Sequence, residues 1–268
     1  MGMSKLRRAQ FFSAHPWCCF CGGRAPATTE DHIPGRAIFD SRNWPEGYNF
    51  PACDACNGLT RFAEIIIAMI SRIRSRGDLT TDQQDLEMRR AMDGVRNNFP
   101  DAYKAMRVSA NDVRRFLKNT GREKPAGTPL SDVPVIQLAQ PAFLLAIKTF
   151  ATKLFCALHY KHTGEVVPPT GVVASWFFSN VQVFDGKIPE TILSIVQSRP
   201  ALVRSNNDLH DQFSYQFTVA AEKTTSVYLC SFRESFALIG MVSTIDDLPA
   251  DFDEDINHGK FRSAPFRH

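Results

Sequence analysis

The chain has 268 residues, of which 44% are hydrophobic and 22% charged, and its net charge is +3. That length suffices for one large domain or two modest ones, and the charge excludes a histone-like polycation, so any nucleic-acid contact must come from a local patch. Residues 1–76 carry ten Lys/Arg against six Asp/Glu, whereas the chain after residue 130 is slightly acidic.

In chain order, residues 1–8 are basic through Lys5, Arg7 and Arg8, but no apolar core follows, which is not the pattern of a signal peptide. Residues 18–57 are rich in turn formers (Gly22, Gly23, Pro26, Pro34, Gly35, Pro45, Gly47, Pro51) and contain two Cys-x-x-Cys pairs, Cys18/Cys21 and Cys53/Cys56. Such a stretch cannot build long elements and reads as a metal-stapled mini-domain. Four thiolates close a tetrahedral zinc site with no open position, so the zinc expected here is structural. Cys19, Cys156 and Cys230 are left over, and an odd cysteine count without a secretory signal argues for a reducing, cytoplasmic setting.

Between the pairs lies Asp31-His32-Ile33-Pro34. An imidazole near its ordinary pKa can take a proton from water at neutral pH. In extended chain, Asp31 points to the opposite side of the backbone from His32, where a hard oxygen ligand suits Mg²⁺ or Mn²⁺. Asn57 opens the next helix, either as its N-cap or as a second ligand beside Asp31.

Helical periodicity predicts helices over 60–76, ended by Gly77, over 81–96, capped at Thr81 or Asp82, and over 101–118. Residues 119–134 hold Gly121, Pro125, Gly127, Pro129 and Pro134 and read as a linker. Beyond it, 141–160 is the clearest helix, closed by Gly164. Strands are expected over 172–184, 213–221, 226–232 and 236–242, a short helix over 188–197, and an irregular tail from Asp246. The apolar runs at 65–70 and 143–158 are too short to span a membrane. Cys156, His159 and His162 read as core and surface residues, and Trp176, Phe177 and Phe178 as sheet core. The expected fold class is therefore α+β: a zinc-stapled module over 1–76, a helical connection over 77–118, the linker, and an α+β portion over 135–268 with a mainly antiparallel sheet.

The series Cys18-Cys19-Phe20-Cys21-Gly22, Glu30-Asp31-His32-Ile33-Pro34 and Asn49-Phe50-Pro51-Ala52-Cys53-Asp54-Ala55-Cys56-Asn57 resembles the zinc-containing HNH endonucleases over about the first quarter of the chain. The resemblance implies a ββα-metal fold with one catalytic divalent metal, His32 as general base and Asp31 with Asn57 as Mg²⁺ or Mn²⁺ ligands. It also implies an asparagine that orients the histidine. Asn49 stands one residue short of the usual spacing, which offers Tyr48 as the alternative occupant. Arg61 is the candidate phosphate contact, with Arg36 and Arg42 as further ones. The function implied is endonucleolytic cleavage of DNA, with RNA left open, in restriction, phage defence or a mobile element. The C-terminal portion would serve target choice, dimerisation or docking on a partner protein. The rival reading is a non-catalytic zinc module that binds nucleic acid or protein.

Overall fold

Four long stretches of β-branched and aromatic residues, together with a short one near the C-terminus, build the sheet that organises the molecule in this computed structural model. The structure describes residues 3–73, 81–124, 126–130, 133, 135–138, 140–245 and 253–268. Strands β3 (Val172–Ser179), β6 (Ser214–Val219), β7 (Thr225–Phe232), β8 (Phe236–Ser243) and β9 (Lys260–Ser263) form an antiparallel sheet in the order β6-β7-β8-β3-β9. The two-residue strands β4 (Val203–Arg204) and β5 (Asn207–Asp208) pair separately as a hairpin. The architecture is α+β.

Two expectations for this half change. The strand expected over 172–184 stops at Ser179, whose side chain and Gln182 form a capping box that starts the short helix α8 (Asn180–Phe184). The tail is not irregular throughout: β9 pairs with β3 in the register Ser175↔Phe261 and buries Phe261. Asp246, where that tail was expected to begin, lies outside the described residues. The short helix expected over 188–197 is α9 (Glu190–Ile195), and it packs Ile192 with Trp176 and Phe178 on one face of the sheet.

The other face is covered by α7 (Pro141–Thr163), which starts with proline in its first turn and ends at Gly164 in the left-handed conformation. At Gly240 on β8 the sheet and helix nearly touch; a Cβ there would lie 2.4 Å from the Phe155 ring, so only glycine fits. At 23 residues α7 is longer than its apolar run and is long and apolar enough to cross a membrane, yet 72% of its apolar window is buried inside the fold. It is the core helix.

The N-terminal half packs on this core. Strand β1 (Thr29–His32) pairs antiparallel with β2 (Asn49–Ala52), and α2 (Asp54–Leu59) follows β2 directly. Thr60 then separates α2 from α3 (Arg61–Ile70), so the helix expected from residue 60 is a pair of helices; its expected end at Gly77 lies outside the described residues. Helix α4 (Asp82–Asn98) opens on a Thr81/Gln84 capping box. The helix expected over 101–118 is two, α5 (Pro100–Ala105) and α6 (Ala110–Thr120), because Ser109 caps a fresh start through the Asp112 N–H. Helix α1 (Met3–Ala14), formed by the basic N-terminal segment, has no counterpart in the expectations. The stretch 119–134 divides the chain in sequence, with Pro125 and Pro134 outside the described residues, but not in space. Helix α3 packs against α7, and one buried cluster runs from Cys18 and Phe20 through Ile67 and Phe155 to Phe261.

Candidate functional site

A tight turn and the start of a helix bring the cysteines together. Gly22 and Gly23, both at positive φ, fold residues 18–23 back so that Cys18 accepts from the Gly23 N–H and its own N–H reaches Ala25. Cys53 is the N-cap of α2 and Cys56 lies in its first turns. The four cysteines are buried, with their Sγ atoms all within 4.8 Å of one another. A tetrahedral Zn²⁺ with bonds of about 2.3 Å needs sulfurs about 3.8 Å apart, so the four residues fit zinc with small adjustment. The crowding is electrostatic as well. A hydrogen bond with Cys56 pulls the Cys18 thiol down to about 5, whereas burial and the charge of Cys18 push Cys21 up to about 11. A divalent cation relieves that conflict by allowing every thiol to ionise. Near the sulfurs lies His268, its Nε2 3.4 Å from Cys53 Sγ and its Nδ1 3.9 Å from Cys56 Sγ.

The β1–β2 pair carries the second feature. Its register sets His32 opposite Asn49, and His32 Nδ1 lies 3.0 Å from Asn49 Oδ1. Asn49 therefore occupies the place beside the histidine, while Tyr48 is buried with its hydroxyl on that of Tyr215. Strand alternation puts Glu30 on the same side as His32, and Asn49 Nδ2 donates to Glu30 Oε2 at 3.0 Å. The ring of Trp44 stands 4.4 Å from that of His32. Burial, and next the Arg36 guanidinium, hold the His32 pKa below the ordinary imidazole value, which favours the neutral ring.

This group lines two adjoining open depressions of about 850 and 540 Å³ that share Arg7, Glu30, Trp44 and Asn49. Four arginines surround it: Arg7 and Arg8 from α1, Arg36 from the β1–β2 loop, and Arg204 from β4. Arg36 and Arg204 each stack on Trp44, at 4.1 and 3.9 Å from the ring centre. Of the three arginines expected to meet phosphate, only Arg36 lies here; Arg42 and Arg61 are exposed and line neither depression. Arg7 and Arg8 carried a sequence signal in the basic N-terminal segment, although it did not single them out. Arg204 comes from 160 residues beyond Trp44, and nothing local marks it.

Asp31 points away from His32, as alternation requires, but into the protein. Its Oδ1 accepts the His32 backbone N–H at 2.8 Å and its Oδ2 lies 2.6 Å from the Nζ of Lys153. Lys153, on α7, is fully buried and also reaches Glu64 Oε1 at 2.8 Å and the Thr60 hydroxyl. Burial opposes the charge of Lys153, but Asp31 and Glu64 outweigh it and lift its pKa above the ordinary lysine value. Burial also pushes the Asp31 carboxyl up, yet an ammonium at 2.6 Å makes the charged pair the favoured state.

Asn57 is the fourth residue of α2, not its first; Cys53 is the cap, and the Asn57 amide donates to Thr29 Oγ1 at 3.1 Å, tying α2 to β1. The divalent metal expected on Asp31 and Asn57 does not fit this arrangement, because the Lys153 ammonium already stands against the carboxylate and would repel a second cation. Among the described residues, the four cysteines are the one group of three or more His, Cys, Asp or Glu side chains close enough to hold a metal. Cys156, His159 and His162 do not gather into such a group: Cys156 is buried, His159 meets Ser226, and His162 stacks on Phe217. Comparison with protein-family models, curated proteins and solved structures finds no match for the chain.

Proposed function

We propose that this chain is an endonuclease of the HNH type that hydrolyses DNA phosphodiester bonds at the His32 cleft, with zinc at the four cysteines as a structural staple. The observation that carries this reading is a histidine, held at Nδ1 by Asn49, facing an open cleft lined by four arginines. In this reading His32 Nε2 takes a proton from the attacking water. The negative charge that then develops on the phosphoryl oxygens is met by Arg7, Arg8, Arg36 and Arg204, whose guanidinium groups suit phosphate geometry. Zinc holds β2 and α2 to the Cys18 turn and so keeps Asn49 in register with His32.

Endonucleases of this type use Mg²⁺ or Mn²⁺ to stabilise the same charge. With Asp31 paired to Lys153, no step is assigned to such an ion. An uncontrolled endonuclease harms its host, so restriction, phage defence or a mobile element is the setting that suits the activity.

A second reading has its own support. The closed Asp31–Lys153 pair favours a zinc module that binds nucleic acid through the arginine cleft without cutting it. Plasmid nicking by the zinc-loaded protein with Mg²⁺, with Mn²⁺ and with EDTA, beside filter binding of DNA and RNA, separates the two. Cleavage by wild type that is absent from His32→Ala supports the enzyme. Binding without cleavage under every condition supports the module, and tighter binding and faster cutting of RNA would change the substrate.

A further inference from the structure

We propose that Glu30 and Trp44 are positioning residues that hold the Asn49 amide in one orientation and thereby hold His32 as its Nδ1–H tautomer, so that Nε2 carries a lone pair, which the Arg36 guanidinium meets here and which takes the proton once that guanidinium turns to phosphate. The proposal rests on the reading of His32 as the base, and it concerns residues that reading does not use.

An asparagine amide can turn over, and its orientation decides whether it accepts from or donates to its neighbour. Here both ends of Asn49 are held by partners of a single polarity. The carboxylate of Glu30 accepts, and it lies 3.0 Å from Nδ2. The indole N–H of Trp44 only donates, and it lies 3.3 Å from Oδ1. Oδ1 is therefore the atom facing His32 Nδ1 at 3.0 Å, and an oxygen there requires hydrogen on Nδ1. The far side of the ring agrees, since Arg36 Nη2, which can only donate, contacts Nε2.

The supports of this chain come from separate elements. Glu30 and His32 lie two apart on β1, so they share a face, and Asn49 is cross-strand from His32. Arg36 and Arg204 both stack on Trp44, and Arg204 Nη1 also donates to the Trp44 carbonyl at 3.2 Å. The hairpin β4–β5, far along the chain, thus steadies the indole that orients the amide. The wrong tautomer would point an N–H from Nε2 at the attacking water and offer no lone pair to it.

The test is side-chain ¹⁵N NMR of histidine-labelled, zinc-loaded full-length protein, with the His32 signals assigned from His32→Ala. Wild type is expected to show protonated Nδ1 and unprotonated Nε2 at neutral pH. The double variant Glu30→Ala/Trp44→Phe is expected to give a mixture of tautomers, with zinc content retained. Glu30→Gln, which keeps an accepting oxygen and leaves Trp44 in place, is expected to keep the single form.

In the nicking assay the double variant is expected to lose about ten- to a hundredfold in kcat with KM little changed, the scale on which outer partners of metal-bound histidines act. Protonated Nε2 in wild type overturns the proposal, as does an unchanged tautomer in the folded double variant. Should the double variant fail to fold, Glu30→Ala and Trp44→Phe alone carry the comparison, and the wild-type tautomer stands as an independent test. If the tautomer responds as stated but wild type cuts no polynucleotide, the positioning holds and the nuclease reading fails. If wild type cuts but the tautomer does not respond, the nuclease reading holds and the positioning fails.

Discussion

Asp31 and His32 are neighbours in sequence and opposites in environment, and most of the chemistry turns on that difference. His32 faces the cleft and Asp31 faces α7. The depressed pKa of His32 means that the neutral ring persists below the ordinary imidazole value near 6.5. For a base, activity requires the neutral form, so the rate should fall only as pH drops through that lowered pKa. A profile of kcat/KM against pH with its acid limb above 6.5 would contradict the assignment.

Lys153 invites a different measurement. Lys153→Met leaves the carboxylates of Asp31 and Glu64 without their buried counter-ion, which typically costs about 3–5 kcal/mol. Chemical denaturation should show that loss. Asp31→Ala should likewise lower stability, and excess Mg²⁺ should restore neither stability nor activity; recovery with metal would show that Asp31 is a ligand after all.

Among the elements, the cysteine turn and α2 meet at the four-cysteine group, which is built to hold a metal. Purified protein should contain about one zinc per chain, because closing a four-thiolate site supplies much of the folding free energy of so short a segment. Cys53→Ser or a strong chelator should lower the melting temperature of the whole chain, since Phe20 and Cys56 belong to the same buried cluster as α7. Folded protein with no zinc would show that the cysteines are not a staple.

The paired cysteines and the Asp-His step were legible in sequence because ligand spacing and strand alternation are local. Asn49 was legible only as one of two candidates, and strand register decides for it. What sequence could not show comes from afar. Lys153 meets Glu64 across 89 residues and Arg204 meets Trp44 across 160, and no short-range pattern encodes either. The tail strand β9 was hidden for the same reason: its residues become a strand through pairing with β3.

Across the whole molecule, a single core joins the cysteine segment to the sheet, so the chain before 119–134 and the chain after it share one buried cluster. Two histidines against that core, buried His159 and half-buried His162, make its stability sensitive to acid. Burial lowers His159 to about 4, and burial together with Lys161 lowers His162 to about 4. Above about 6.5 both the folded and unfolded chains keep these rings neutral. Below it the unfolded chain takes up protons that the folded chain refuses until about pH 4, so stability should fall as pH drops through that window. Melting curves between pH 7 and 4 test this, and His159→Gln should remove part of the slope.

The function proposed for the molecule stands on His32 breaking phosphodiester bonds in the arginine cleft, and plasmid nicking by zinc-loaded wild type and His32→Ala, measured side by side, puts that to the test. Loss of a general base costs about a hundred- to ten-thousandfold, so His32→Ala should be nearly silent while it keeps its zinc and its affinity for DNA. Equal cutting by the two proteins, or none by wild type with Mg²⁺, Mn²⁺ or EDTA, would contradict it.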